Sequence, residues 1–454
     1  MPSDFPSLPV LAYQIRNGET SARALAETAA ANHTADDLGA YKTWNGARAL
    51  DLAEHVDALI AAGYDTGPLM GMPVSVKDLF GVPGLPVFAG TDSEFSPEWQ
   101  RAGPVMARLL SQLGVVMGKT HTVEMAFGGL GANPHWTPPR NPWGDGRHVP
   151  GGSSSGAGVS LAEGSALVAF GTDTAGSVRI PASLTGAVGL KVTHGRWSQD
   201  GIVPLSPSFD TPGILCRTAE DIAFAFAAMD PASRPIPQIS PSGLRIGVLG
   251  GVAAEGVDDD IAAAVTGALS RLERSGAVLS DAPLPHAEPA LALFRQGGLA
   301  ASELAAFLES RMPERIVRLD PAVQARIDAA RGLTAIDYLR RKAEFARMSA
   351  ETASSAFAHV DLLACPTVAV SPPRWDEIAT PDSYARANMA VLRNTAIGNL
   401  LGLCAITLPV GIDRNGIPVG LMLMAQPNDE ERLIAAAVAA ERLWDRPTRP
   451  VSRS

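Results

Sequence analysis

The chain has 454 residues, 46% of them apolar and 19% charged, and a net charge of −10 at neutral pH. That length and balance describe a globular protein with a sizeable core. The acidic excess argues against nucleic acid or an anionic membrane surface as a partner, because both require a basic face.

The first residues, Met1 to Glu19, lack a basic segment followed by an apolar one, so no signal peptide is expected. Thr20-Ser21-Ala22-Arg23 opens an alanine-rich amphipathic run, and a second helix is predicted from Ala47 to Ala62, with Gly63 as its C-cap. A short buried strand is predicted from Met72 to Val76, ending at Lys77. Helical periodicity over Ala102–Leu113 leads into a strand at Val115–Met117. The proline-, tryptophan- and glycine-rich text from Pro134 to Pro150 predicts an ordered loop. Further strands are predicted at Ala166–Gly171, Leu244–Leu249, Val360–Ala364, Ala405–Val410 and Val419–Ala425, with a largely helical block from about Val257 to Ala358. Proline clusters at Pro231–Pro241 and Pro372–Pro373 are the linker candidates. Strands alternating with helices predict an α/β architecture with a mixed sheet covered on both faces. One domain over residues 1–454, with a helical insertion at 257–358 and the chemistry concentrated in 71–193, fits better than separate modules. No window reaches the run of about 18 apolar residues that a membrane span needs. The three cysteines, Cys216, Cys365 and Cys404, lie far apart in apolar runs and read as reduced thiols of a cytoplasmic protein.

Three motifs mislead. Gly118-Lys119-Thr120 looks like the end of a phosphate-binding loop, but that loop needs a glycine where Leu113 stands. His121 and Glu124 hint at a metal pair, yet the eight histidines are scattered and no ligand cluster accompanies them, so no metal or cofactor is expected. Gly152-Ser153-Ser154-Ser155-Gly156 satisfies GxSxG and offers Ser154 as an esterase nucleophile. A strand must run straight into such an elbow, however, and the residues before it, Asp145 to Pro150, are polar and broken by proline. Its histidine would have to be His194, His286 or His359, none in a distinctive context.

A serine–serine–lysine set accounts for more. Ser153 and Ser177 sit 24 residues apart in two glycine-rich turns. Ser177 follows the apolar run Ala166–Phe170 and the small residues Thr174-Ala175-Gly176. A tight turn there aims successive N–H groups at one point, as an oxyanion hole built from Thr174, Ala175, Gly176 and Ser177 requires. A serine needs a base, and a neutral lysine serves once burial depresses its pKa; Lys77, at the end of an apolar strand, is placed for that.

These residues resemble the amidase signature family over most of the chain. The resemblance is carried by Gly71–Phe80, Gly118-Lys119-Thr120 with Glu124, Arg140-Asn141-Pro142, Gly151–Thr193, Phe209-Asp210-Thr211-Pro212-Gly213, Asp361–Thr367 and Gly416–Leu421. It implies a central mixed sheet of about eleven strands between helical layers. It further implies Ser177 as nucleophile, Lys77 as base and Ser153 as bridge, the last held by a cis peptide bond. Departures are Ser155-Gly156-Ala157 and Thr174-Ala175-Gly176, where the family often carries paired glycines. Ala175 keeps its N–H, so only the turn conformation and pocket shape are affected. Asp173 and Arg179 flank the nucleophile as a buried bracing pair, and Met125, Phe127 and Trp136 are the pocket-wall candidates, favouring an uncharged acyl or aryl group. The implied activity is hydrolysis of a small amide, aryl acylamide or carbamate through a serine acyl-enzyme, by a chain acting alone or as a homodimer. The alternatives are a glutamine-using subunit of a transamidation complex and a catalytically silent binding protein; intact Lys77, Ser153 and Ser177 count against the second.

Overall fold

A computed structural model describes residues 5–447. Its eleven strands are β1 (Tyr41–Trp44), β2 (Pro73–Lys77), β3 (Val115–Thr120), β4 (Val168–Asp173), β5 (Val188–Lys191), β6 (Thr211–Cys216), β7 (Arg245–Leu249), β8 (Val278–Ala282), β9 (Leu362–Pro366), β10 (Cys404–Ile412) and β11 (Pro418–Ala425). They form one sheet in the order β1-β3-β2-β4-β6-β5-β10-β11-β9-β7-β8. β2 is parallel to β3 and β4, and β7 is parallel to β8 and β9, while the remaining pairs are antiparallel. The predicted mixed α/β sheet of about eleven strands is therefore found, with helices on both faces.

The strands bury both faces, so alternate residues enter different cores. Val168, Phe170, Leu421 and Leu423 join one cluster, whereas Met422 and Met424 join another, and Ala169 a third. The first cluster is covered by α1 (Leu8–Arg16), α7 (Ala219–Met229), α8 (Asp259–Arg274) and α14 (Glu430–Glu441), with α4 (Pro104–Ser111) at its margin. The opposite face carries α5 (Ser155–Glu163), α6 (Arg179–Thr185), α9 (Ala287–Arg295), α12 (Ala335–Ser355) and α13 (Pro381–Leu400). α2 (Ala22–Ala35) and α3 (Gly46–Ala61) pack together on the β1–β3 edge, and α10 (Ala300–Arg311) packs on α11 (Pro321–Arg331).

Local signals hold where they were specific. The Ser21 hydroxyl accepts the Ala24 N–H at 3.0 Å as the N-cap of α2, and Gly63 follows α3 at φ 86°. The stretch 257–358 is not helical throughout, because β8 lies within it and pairs with β7. β8 escaped prediction for a physical reason: Val278 is 56% exposed at the sheet edge, so no apolar alternation marks the strand. β1, β5 and β6 were also missed; the first two are four residues long, and β6 opens on Thr-Pro-Gly.

Candidate active site

The parallel registers Lys77↔Thr120 and Val76↔Phe170 align the C-terminal ends of β2, β3 and β4. At that rim Lys77 is wholly buried, and its Nζ donates to Ser153 Oγ at 2.7 Å and Thr172 Oγ1 at 2.8 Å. Burial pulls its pKa down to about 7, against the opposing charges of Asp210 and Asp173. The adjacent Asp78 does not pair with it. Asp78 binds Lys119 at 2.9 Å and accepts the Phe88 and Ala89 N–H groups, which makes Lys119 a structural partner and not part of a phosphate loop.

The Gly152–Ser153 peptide is cis, and Ser153 O accepts the Val123 N–H at 3.2 Å. A Cβ on Gly152 would stand 2.7 Å from Gly131 N, so the close approach of these two turns requires glycine. Ser154, the GxSxG candidate, is fully buried; its Oγ donates to Thr172 O at 3.2 Å and its N–H to Ser177 O at 3.2 Å. None of the three candidate histidines is bonded to it: His194 meets Pro207 O and His286 meets Glu351, and no contact of His359 with Ser154 occurs among the described residues. His121 instead lies 2.8 Å from Ser155 Oγ, and burial lowers it to about 3, leaving it neutral. Glu124 binds His135 at 2.8 Å and the Asp320 N–H at 2.7 Å, so His121 and Glu124 do not converge. Among the described residues the group with metal-ligand spacing is His33, Asp37 and Glu163, at the far end of α5 from Ser155. Glu163 is already committed there to His33, the Leu38 N–H and Ser165.

The turn Thr174–Ser177 is built around Asp173. Its carboxylate accepts from Gly176 N at 2.7 Å, Val178 N at 3.1 Å, Arg179 Nε at 3.0 Å and Nη2 at 2.9 Å, and Asn399 Nδ2 at 2.9 Å. Burial alone would raise this carboxyl, but Arg179, Lys191 and Asn399 pull it down to about 2. Gly176 at φ 133° has no room for a side chain, since a Cβ would stand 2.0 Å from Thr395 Oγ1, which donates to Ala175 O at 2.7 Å. Within the expected oxyanion set of Thr174, Ala175, Gly176 and Ser177, the Gly176 N–H donates to Asp173 Oδ1. The N–H groups of Thr174, Ala175 and Ser177 have no partner among the described residues. Thr174 Oγ1 is tied to Asp210 at 2.6 Å, and Ser177, 4% exposed, precedes α6.

Removing one member of the buried Asp173–Arg179 pair strands the other charge, at a typical cost of about 3–5 kcal/mol. Arg179→Ala is therefore expected to lower unfolding free energy by that amount in a denaturant titration; a change under about 1 kcal/mol would show that the pair does not brace the turn.

The wall candidates separate. Met125, at φ 50°, is packed into the cluster of Leu79, Val87 and Phe95, and Trp136 donates Nε1 to Thr91 O at 3.1 Å while meeting Phe88 and His121 edge-on. Phe127 is half-buried and leads into Gly128–Gly131, where Gly129 O accepts the Gly152 N–H at 2.8 Å. Sequence reasoning did not single out Thr172, Thr395 or Asn399. Thr172 lies within the glycine-rich stretch Gly151–Thr193, but nothing near Thr395 or Asn399 in the chain points to a turn more than 200 residues away.

The amidase family model matches residues 24–434. The 2-amino-5-chloromuconic acid deaminase of Comamonas testosteroni is 56% identical over 443 residues, covering 96% of each chain. A glutamyl-tRNA(Gln) amidotransferase subunit of Synechococcus sp. (strain RCC307) is 32% identical over 483 residues, covering 96% of this chain and 98% of its own. Among solved structures, a crystal structure of an amidase superposes with a TM-score of 0.87 at 29% identity, over 96% of this chain and 99% of the other.

Proposed function

Because this chain belongs to the amidase family and is a hydrolase of carbon–nitrogen bonds, we propose that Ser177, Ser153 and Lys77 carry the reaction. Neutral Lys77 takes the Ser153 proton as Ser153 takes that of Ser177, and Ser177 Oγ forms a bond to the amide carbonyl carbon as its C=O π bond opens onto the oxygen. The N–H groups of Thr174, Ala175 and Ser177 receive the developing oxyanion. The proton then returns through Ser153 to the departing ammonia or amine as the C–N bond breaks, and water releases the acyl group from Ser177 as a carboxylic acid. The observation that carries this reading is the 2.7 Å contact between a buried lysine amine, held by burial at a pKa of about 7, and Ser153 Oγ. Asp173 and Arg179 act by holding the turn, and Phe127 borders the substrate.

For the substrate we propose a small amide that also carries a carboxylic acid group and loses ammonia, by analogy with the deaminase of 2-amino-5-chloromuconic acid, itself a small acid that loses ammonia. The support is the 56% identity to that deaminase, against 32% for the tRNA-dependent amidotransferase, which makes the glutamine-using alternative the weaker one. The same reading places the enzyme in the cytoplasm, with Cys216, Cys365 and Cys404 as buried free thiols, acting alone or as a homodimer.

A fluorophosphonate probe is expected to add one label per chain, at Ser177, because an activated serine beside amide donors attacks that electrophile. Peptide mapping that places the label on Ser154 or elsewhere overturns the assignment. Activity is expected to survive EDTA, since the base is an amine and the oxyanion donors are backbone amides.

A further inference from the structure

The segment Phe127–Gly131 holds a cation at its Phe127 end and the Ser153 turn at its Gly131 end. It lies against the Ser153 turn, so closely that a Cβ on Gly131 would stand 2.7 Å from Gly151 O. Arg326 of α11 lays its guanidinium 4.3 Å from the centre of the Phe127 ring. It donates Nη1 to Phe127 O at 3.0 Å and Nε to Ala322 O at 3.1 Å. Both acceptors are neutral carbonyls, and Arg326 has no ion-pair partner among the described residues. Its neighbours on the chain differ: Arg318 pairs with Asp92, and Arg331 pairs with Glu309 and Asp328.

Tyr384 of α13 completes the spot. Its hydroxyl fills the space that a side chain at Gly128 would take, 2.5 Å from a Cβ built there. Burial raises the phenol pKa while the Arg326 charge pulls against it, and Asp320, the acidic neighbour, uses Oδ1 to cap α11 at the Ala322 N–H. From Tyr384, α13 runs past Asn388, which accepts the Gly129 N–H at 2.7 Å, to Thr395 on the nucleophile turn. The eleven steps from Tyr384 to Thr395 rise about 16 Å, a span shared between the Arg326 and Tyr384 side chains and a substrate of five or six carbons.

We infer that Arg326, assisted by the Tyr384 hydroxyl, receives a free carboxylate at the end of the substrate remote from the scissile C–N bond. The planar guanidinium matches a carboxylate through paired N–H donors, and a half-buried cation whose partners are two carbonyls, a phenol and an aromatic ring, all neutral, gains most from such a ligand. The inference rests on hydrolysis taking place at Ser177, and its binding arm is read without turnover.

Titration calorimetry on the full chain should show adipate binding at least ten times tighter than its monomethyl ester. Arg326→Gln keeps an N–H for Phe127 O and should abolish that preference; Arg326→Lys should keep part of it, and Tyr384→Phe should reduce it several-fold. In kinetics with the monoamide of adipic acid and its methyl ester, Arg326→Gln should raise KM for the acid at least tenfold, with kcat within threefold. Equal binding of adipate and its ester by the wild type, or a preference that survives Arg326→Gln, overturns the proposal. A kcat loss shared by acid and ester does so too, because it marks Arg326 as structural. Hydrolysis persisting in Ser177→Ala would sink the catalytic assignment while leaving the adipate comparison to judge Arg326.

Discussion

Ser177→Ala is expected to reduce C–N hydrolysis by on the order of 10⁴-fold or more, with the folded state intact. In the proposed mechanism this hydroxyl supplies the bond-forming atom, and removing it leaves the oxyanion donors without an adduct to stabilise. The backbone around it is held independently, by Asp173 on Gly176 and Val178 and by Thr395 on Ala175, so the turn survives the loss. Ser154→Ala is the control. Its hydroxyl donates to Thr172 O and accepts the Thr172 N–H at 3.4 Å, neutral hydrogen bonds worth roughly 1 kcal/mol each, and its N–H contact with Ser177 O is backbone and remains. The loss should therefore fall mainly on stability, about 1–2 kcal/mol, with activity within about tenfold of wild type. Thermal melts with initial rates for both variants decide the matter, and an active Ser177→Ala beside a dead Ser154→Ala would transfer the nucleophile to the GxSxG serine.

Lys77→Ala is expected to cost about 10²–10⁴-fold on an amide, the range typical of a lost general acid–base group, and less on an activated ester. A good leaving group departs without the proton that Lys77 returns. The proposed working form is the neutral amine, and its pKa is lowered to about 7. The sign follows: below that value Lys77 is protonated and cannot accept the Ser153 proton, so kcat/KM falls about tenfold per pH unit on the acid side and levels off above it. Lys77→Arg should not restore activity, because guanidinium stays charged at any usable pH. The pH–rate profiles of wild type and Lys77→Ala, each with one amide and one activated ester, carry the test. An acid limb unchanged in Lys77→Ala would remove this lysine from proton transfer.

Much of this molecule is written locally in the chain. Ser21 as a helix cap, Gly63 after α3, and the apolar runs of β2, β4, β10 and β11 all express rules that act over a few residues. The two serine turns and the lysine at a strand end belong to the same class, since glycine spacing and a preceding apolar run both lie within a short window. Short-range rules fail where a segment is stabilised only by its neighbours in space. β8 at the sheet edge lacks alternation, and the four buried residues of β5 mean little until β6 and β10 flank them.

The sequence by itself determined the chemistry on offer: two serines 24 residues apart, one lysine ending an apolar strand, and a small-residue turn rich in backbone donors. Which of those groups are spent and which are free was decided by tertiary structure. Asp173 takes up the Gly176 N–H, Thr172 rather than Asp78 joins Ser153 on Lys77, and Asp78 is claimed by Lys119. Thr395 and Asn399 reach the Asp173–Ser177 turn from 220 and 226 residues away, because the sheet order sets α13 against it. The physical reason is the same in each case. A buried donor or charge must find a partner, and the fold chooses that partner by distance in space, which chain spacing does not encode.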